Sequence, residues 1–129
     1  MDKLKTFTDS RGKLTLTQVG NEIPFSIQRA YWIYDVPEGE ERGMHANRIS
    51  YQYLVAVSGS VDITLENRDG RHTYHLDSKD KGLLVPPLTW NELTNFSRDA
   101  VLLVFASHPY DTGTYINSHE EFLKLIQSI

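Results

Sequence analysis

Turn-forming residues punctuate this chain at near-regular intervals, and the segments between them are short, β-branched and aromatic. Asp9-Ser10-Arg11-Gly12, Val36-Pro37-Glu38-Gly39-Glu40, Ser58-Gly59-Ser60, Asn67-Arg68-Asp69-Gly70 and Lys79-Asp80-Lys81-Gly82 each carry residues that turn geometry favours. Between them, residues 13–17 alternate apolar and polar side chains, as a half-buried strand does. A longer strand is predicted over 25–34, with Phe25, Ile27, Arg29, Tyr31 and Ile33 on one face. An arginine and a tyrosine on that apolar side point to a lined cavity. Further strands are predicted over 51–58, 61–65, 71–76, 83–85, 92–96 and 100–106, with Asp69-Gly70 closing a hairpin. Pro86-Pro87 stops regular pairing after the run 83–85. Only the tail reads as helix. Ser118-His119-Glu120-Glu121 forms a capping box, and Phe122, Leu123, Ile126 and Ile129 recur at helical spacing. So many short strands imply an all-β fold, a small jelly-roll barrel with a short C-terminal helix.

The 129 residues suit one domain over 1–129, and a 40% hydrophobic content suffices for a single core. A net charge of −4 argues against a general nucleic-acid binder, which carries a basic stripe. It leaves room for a local basic pocket that takes a phosphorylated small molecule. With no cysteine there is no disulfide framework and no thiolate metal site, which fits a reducing compartment. Met1-Asp2-Lys3-Leu4-Lys5 lacks the apolar region of a signal peptide. No apolar run approaches the roughly 18 residues of a membrane span. The expectation is a soluble cytoplasmic protein.

The stretch Gly43-Met44-His45-Ala46-Asn47-Arg48, followed by Gln52 and Gly59, resembles the metal motif of the cupins. Asn47 stands at the second histidine of that motif and Gln52 at its glutamate. Gly82, Pro86 and Trp90-Asn91 occupy the place of the second cupin motif, with Asn91 where its histidine is expected. The fold expected is therefore a cupin-type barrel. Zinc and iron sites need three or four well-placed N, O or S donors. Only His45 remains a good ligand, so no metal is expected. What remains suits acid–base work: an unperturbed histidine titrates near pH 6.5, close to ideal for a base at neutral pH. At i and i+2 on a strand, His45 and Asn47 are predicted to point together into the barrel. Tyr31 offers a phenol to an oxyanion, and Arg11, Arg29 and Arg42 offer planar donors to phosphate or a developing enolate.

The bland alternative is that His45 is a satisfied core residue, as a lone histidine on a half-apolar strand commonly is. The motif spacing, Tyr31 and the arginines weigh against it. His72, His75, His108 and His119 are assigned no role, and Arg48 and Lys81 are read as surface charges. Trp32 and Trp90 suit a core or an interface, while the neighbouring second motif makes Trp90 a candidate pocket residue.

Over nearly its whole length the chain resembles the bacterial sugar 3,4-ketoisomerases. The resemblance runs through Asp9-Ser10-Arg11-Gly12, Ile23-Pro24-Phe25, Arg29-x-Tyr31-x-Ile33, Arg42-Gly43-x-His45-Ala46 and Ser58-Gly59-Ser60. It continues through Leu76-Asp77, Lys81-Gly82-Leu83, Pro87-x-x-Trp90-x-Glu92, Phe96-Ser97, Val101-Leu102-Leu103-Val104, Tyr110-Asp111 and Tyr115-Ile116. It implies an isomerase that moves the keto group of dTDP-4-oxo-6-deoxy-D-glucose from C4 to C3 through an enediol. It also implies a homodimer, no cofactor, and a product passed to a PLP-dependent aminotransferase that makes 3-amino-3,6-dideoxysugars for surface polysaccharides.

By the same resemblance His45 matches the first active-site histidine. Asn47 replaces the usual second one, and Asn91 stands where some members have a third. The catalytic set expected is His45, Asn47 and Tyr31. The substrate-binding set expected is Arg11, Arg29, Arg42, Gln52, Trp90 and Asn91. Arg11 resembles the galacto-forming type, whereas Asn91 matches neither product type. Three readings of Asn47 stay open: His45 performs both proton transfers, Asn47 is a substitution that traps substrate, or the chain is a dTDP-sugar-binding homologue without turnover. A related cupin epimerase would pair histidine with a carboxylate and a tyrosine, a pattern not found near His45.

Overall fold

The computed structural model describes residues 1–129. Twelve strands form: β1 (Asp2–Lys3), β2 (Lys5–Asp9), β3 (Gly12–Leu16), β4 (Arg29–Tyr34), β5 (Arg42–Asn47), β6 (Gln52–Ser58), β7 (Val61–Asn67), β8 (Gly70–Leu76), β9 (Lys81–Val85), β10 (Trp90–Thr94), β11 (Val101–Ala106) and β12 (Tyr115–Ile116). One helix, α1 (His119–Gln127), follows. Two five-stranded antiparallel sheets carry the fold, in the orders β1-β9-β6-β11-β4 and β12-β5-β10-β7-β8. The β2–β3 hairpin forms a separate two-stranded sheet. This is the jelly-roll barrel with a short C-terminal helix that the strand spacing predicts. No helix is long and apolar enough to cross a membrane.

Period-two alternation decides what lies between the sheets. Leu54, Ala56, Val61, Ile63, Leu83, Val85, Leu93, Leu102 and Val104 belong to one buried cluster, and Tyr31 and Ile33 pack against it. A second cluster, Ala46, Trp90, Ile116, Phe122 and Ile126, joins α1 to the outer face of the second sheet. Ser118 caps α1 as its sequence predicts, its hydroxyl accepting from the Glu121 amide at 3.2 Å. Phe122 and Ile126 are buried by the helix, whereas Ile129, predicted on the same stripe, lies beyond it and is exposed.

The long strand predicted over 25–34 is shorter than expected. β4 begins at Arg29, which pairs with Ala106 at the end of β11. The Gln28 amide still donates to the Ala106 carbonyl at 2.9 Å, but no backbone hydrogen bond ties residues 25–27 to β11. Conversely, β1, β2 and β12 were not predicted. Two of them have only two residues each, and β2 is almost wholly exposed, so neither periodicity nor apolar content marks them.

Candidate active site

Near one end of the barrel β4, β5, β6 and β10 surround a cavity of about 350 Å³. β4 contributes Arg29, Tyr31 and Ile33, and β5 contributes Arg42 and His45. Gln52 and Leu54 come from β6, Asn91 and Leu93 from β10, and Val104 from β11. Tyr110 and Tyr115, from the segment after β11, complete the wall. Six of the nine residues expected at the site, His45, Tyr31, Arg29, Arg42, Gln52 and Asn91, thus line one cavity. A larger cavity of about 790 Å³ lies between the β2–β3 hairpin and the outer face of the first sheet, but no histidine or tyrosine lines it.

A β-bulge sets the position of His45. His45 pairs with Asn91 and Gly43 with Glu92, which leaves Met44 as the extra residue. Gly43 and Met44 both adopt left-handed backbone, φ 79° and 57°. A Cβ on Gly43 would lie 2.6 Å from Asn91 Oδ1, so the close approach of β10 also requires glycine there. Asn91 in turn donates from Nδ2 to the His45 carbonyl at 3.1 Å.

The imidazole is half-buried, and burial lowers its pKa from 6.5, with an opposing contribution from the Gly43 backbone. His45 is therefore a neutral base at pH 7. No carboxylate and no second imidazole lines the cavity. The Tyr115 ring packs against His45 with centroids 4.7 Å apart and planes tilted by 41°. Tyr31 is driven the other way: burial first, then the neighbouring Tyr115, raise its pKa to about 12 against the pull of Arg29, Gln52 and Arg42. It stays a phenol at neutral pH. Gln52 Nε2 donates to its oxygen at 3.1 Å, which leaves the Tyr31 O–H proton free to be donated into the cavity.

Two cations complete the lining. The Arg29 guanidinium lies 5.1 Å from the Tyr31 ring centroid and 5.6 Å from that of Tyr110. Its Nε is buried without a hydrogen-bond partner. Neither Arg29 nor Arg42 joins an ion pair, although the chain is net acidic. Two unpaired guanidinium groups at one cavity have the chemistry to take a dianion, since such planar donors match phosphate oxygens.

Three expected site residues lie elsewhere. Arg11 sits on the exposed hairpin, its guanidinium held by Asp9 at 2.7 Å. Trp90 faces the opposite side of the second sheet from Asn91, because adjacent strand residues alternate; it is buried against Phe122 and donates to Glu92 Oε2 at 3.0 Å. Asn47 lines an adjoining chamber of about 290 Å³, which shares Arg29, Tyr110 and Tyr115 with the His45 cavity. Its Oδ1 accepts from the Ile49 and Ser50 amides at 2.9 and 2.7 Å, and its Nδ2 donates to Thr114 Oγ1 at 3.0 Å. Both oxygen lone pairs are committed to the turn. Tyr110, Tyr115 and His108, which lines the adjoining chamber, were not anticipated. Tyr110 and Tyr115 belong to the resemblance pattern, but their segment has no periodicity from which a facing direction can be read.

The barrel and its cavity define a cupin-type protein with one half-buried imidazole, a half-buried phenol and a cationic wall. Residues 1–127 match the family described as FdtA: WxcM-like, C-terminal, and the chain belongs to that family. It is 40% identical over 125 residues to the TDP-4-oxo-6-deoxy-alpha-D-glucose-3,4-oxoisomerase of Aneurinibacillus thermoaerophilus, covering 97% of this chain and 90% of that one. The structure of QdtA, a sugar 3,4-ketoisomerase from Thermoanaerobacterium thermosaccharolyticum in complex with TDP, matches with a TM-score of 0.92 at 34% identity, over 98% of this chain and 92% of that chain. The WlaRB TDP-quinovose 3,4-ketoisomerase from Campylobacter jejuni matches with a TM-score of 0.90 at 38% identity, over 95% and 94%.

Proposed function

We propose that the protein is an isomerase that converts dTDP-4-oxo-6-deoxy-D-glucose into its 3-oxo isomer, with His45 as the base. The observation that carries this reading is the pairing, in one cavity, of a neutral imidazole and a protonated phenol with two unpaired arginines. Arg29 and Arg42 hold the diphosphate. That places the sugar beside His45 and Tyr31.

The reaction needs no net change of oxidation state, because the carbonyl moves between neighbouring carbons. His45 takes the C3 proton, which the 4-oxo group acidifies, and the C–H electron pair becomes the C3=C4 bond. The carbonyl electrons collect on O4, which takes the Tyr31 proton. O3 then returns a proton to the Tyr31 oxygen as its own C=O forms. The C3=C4 pair takes the proton from His45 at C4, and both side chains end as they began. Burial serves both roles, since it keeps the imidazole unprotonated and the phenol protonated at the same pH.

The test is incubation with dTDP-4-oxo-6-deoxy-D-glucose in D₂O, followed by NMR. Deuterium at C3 or C4 with a 3-oxo product supports the reading, and the product spectrum gives the C4 configuration. Binding of TDP without exchange would reduce the protein to a sugar-nucleotide binder. We further infer a homodimer through the outer side of β4, where Trp32 and Tyr34 are 59% and 57% exposed. The reading places the enzyme in the cytoplasm, upstream of a PLP-dependent aminotransferase that takes the 3-oxo product.

A further inference from the structure

We propose that Asn47 is a positioning residue: through Thr114 it seats the Tyr115 ring against the His45 imidazole and so fixes the orientation of the base. This rests on His45 being the base of the proposed isomerase and accounts for an amide at position 47. The His45 ring has a backbone hydrogen bond with Gly43 but no carboxylate to hold it. In triad-type sites such an acceptor fixes both orientation and tautomer. Here the Tyr115 ring, 4.7 Å away, is the group packed on the imidazole.

Tyr115 itself needs an anchor. It lies on β12, a two-residue edge strand paired to Asn47 and Ala46. Asn47 supplies the side-chain link, donating to Thr114 Oγ1, whose own proton goes to the Asp111 carbonyl at 2.9 Å. The Asn47 oxygen meanwhile binds two backbone amides of the turn that leads into β6. One planar amide thus ties the end of β5, the following turn and the Tyr115 segment together. A neutral imidazole, with one donor and one acceptor, cannot make all three bonds.

The experiment records ring-proton resonances of ¹³C-histidine-labelled protein without ligand, alongside kcat and KM for dTDP-4-oxo-6-deoxy-D-glucose. The variants are Asn47→Ala, Thr114→Val, Tyr115→Ala and Tyr115→Phe. The His45 resonance is expected to move in the same direction in the first three and to stay in Tyr115→Phe. His119, which packs on Trp90 and Phe122 instead, serves as the unmoved control. In the same three variants kcat should fall by about ten- to a hundredfold with KM nearly unchanged, as a misplaced catalytic group predicts. Thr114→Val added to Tyr115→Ala should cause no further loss.

Thr114→Val removes the link while leaving the Asn47 turn bonds, so the test survives an Asn47→Ala variant that fails to fold. An unmoved His45 resonance in Thr114→Val, or a higher kcat in Asn47→His, would overturn the proposal. A wild-type protein without turnover refutes the isomerase reading instead, and the resonances of the unliganded protein still decide the positioning role.

Discussion

The two faces of the second sheet hold the same kinds of side chain in opposite states. On the outer face Arg71 reaches Glu92 at 2.5 Å and Glu66 at 3.2 Å, and His119 reaches Glu66 at 2.6 Å. Trp90 adds its N–H to Glu92. On the inner side His45 and Arg42, together with Arg29 from β4 of the first sheet, form no ion pair. β10 borders both environments, sending Asn91 to the cavity and Trp90 and Glu92 to the network. The difference teaches where the chain is prepared for a ligand. Outside, opposite charges satisfy one another and hold α1 and β8 to the sheet. Inside, the cations lack partners, and Arg29 Nε is buried without one, which is unfavourable until something binds it.

The most severe break of this contrast is His45→Asn, which keeps the cavity polar but removes its base. Isomerisation should fall by about 10²–10⁴-fold or more while TDP affinity stays close to wild type, read by NMR of the product and by calorimetry. Retained turnover would sink the assignment of His45. Next comes Arg29→Ala, with Arg42→Ala as its counterpart. Loss of a charge-assisted bond to phosphate is worth about 1.5–3 kcal/mol, or roughly 10- to 150-fold in Kd. TDP titration at several salt concentrations checks this, and unchanged affinity would show that the unpaired cations serve something else.

On the outer face, Arg71→Ala should leave kcat and TDP affinity unaltered and lower stability by about 1 kcal/mol or less, since Arg71 is half-exposed. Urea unfolding measures it. A catalytic defect in this variant would dissolve the distinction between the faces.

The smallest effect is a displacement along the pH axis. Because burial depresses the His45 pKa, the acid limb of kcat/KM should fall below pH 6.5, the ordinary histidine value. The same shift carries a sign for stability. Below pH 6.5 the unfolded chain protonates this histidine while the folded one resists. His45 therefore disfavours folding increasingly as pH falls toward its depressed native pKa.

The barrel was legible because its central strands alternate. The outcome at position 90 shows both the strength and the neglect of that rule. Trp90 and Asn91 are neighbours on one strand and cannot both face the cavity, so the excluded member was open to deduction. Asn47 illustrates a different limit. Alternation correctly puts it on the same side as His45, but no sequence pattern reveals that the Ile49 and Ser50 amides occupy its oxygen. Tyr115 approaches His45 by a tertiary contact between segments far apart in the chain, and Arg11 was drawn toward the site by its side-chain chemistry and by resemblance, with no strand pattern to put it there.

The bulge at Met44 acts as a phase shifter. Arg42 and His45 are three residues apart, a spacing that in an unbroken strand turns two side chains to opposite sides of the sheet. One inserted residue lets the cation and the base look into the same space. Reading frame along β5, more than the choice of amino acid, is what makes His45 an interior residue. Were Met44 paired with β10 instead of bulged, the composition of the site would stay intact on paper and its base would turn toward α1.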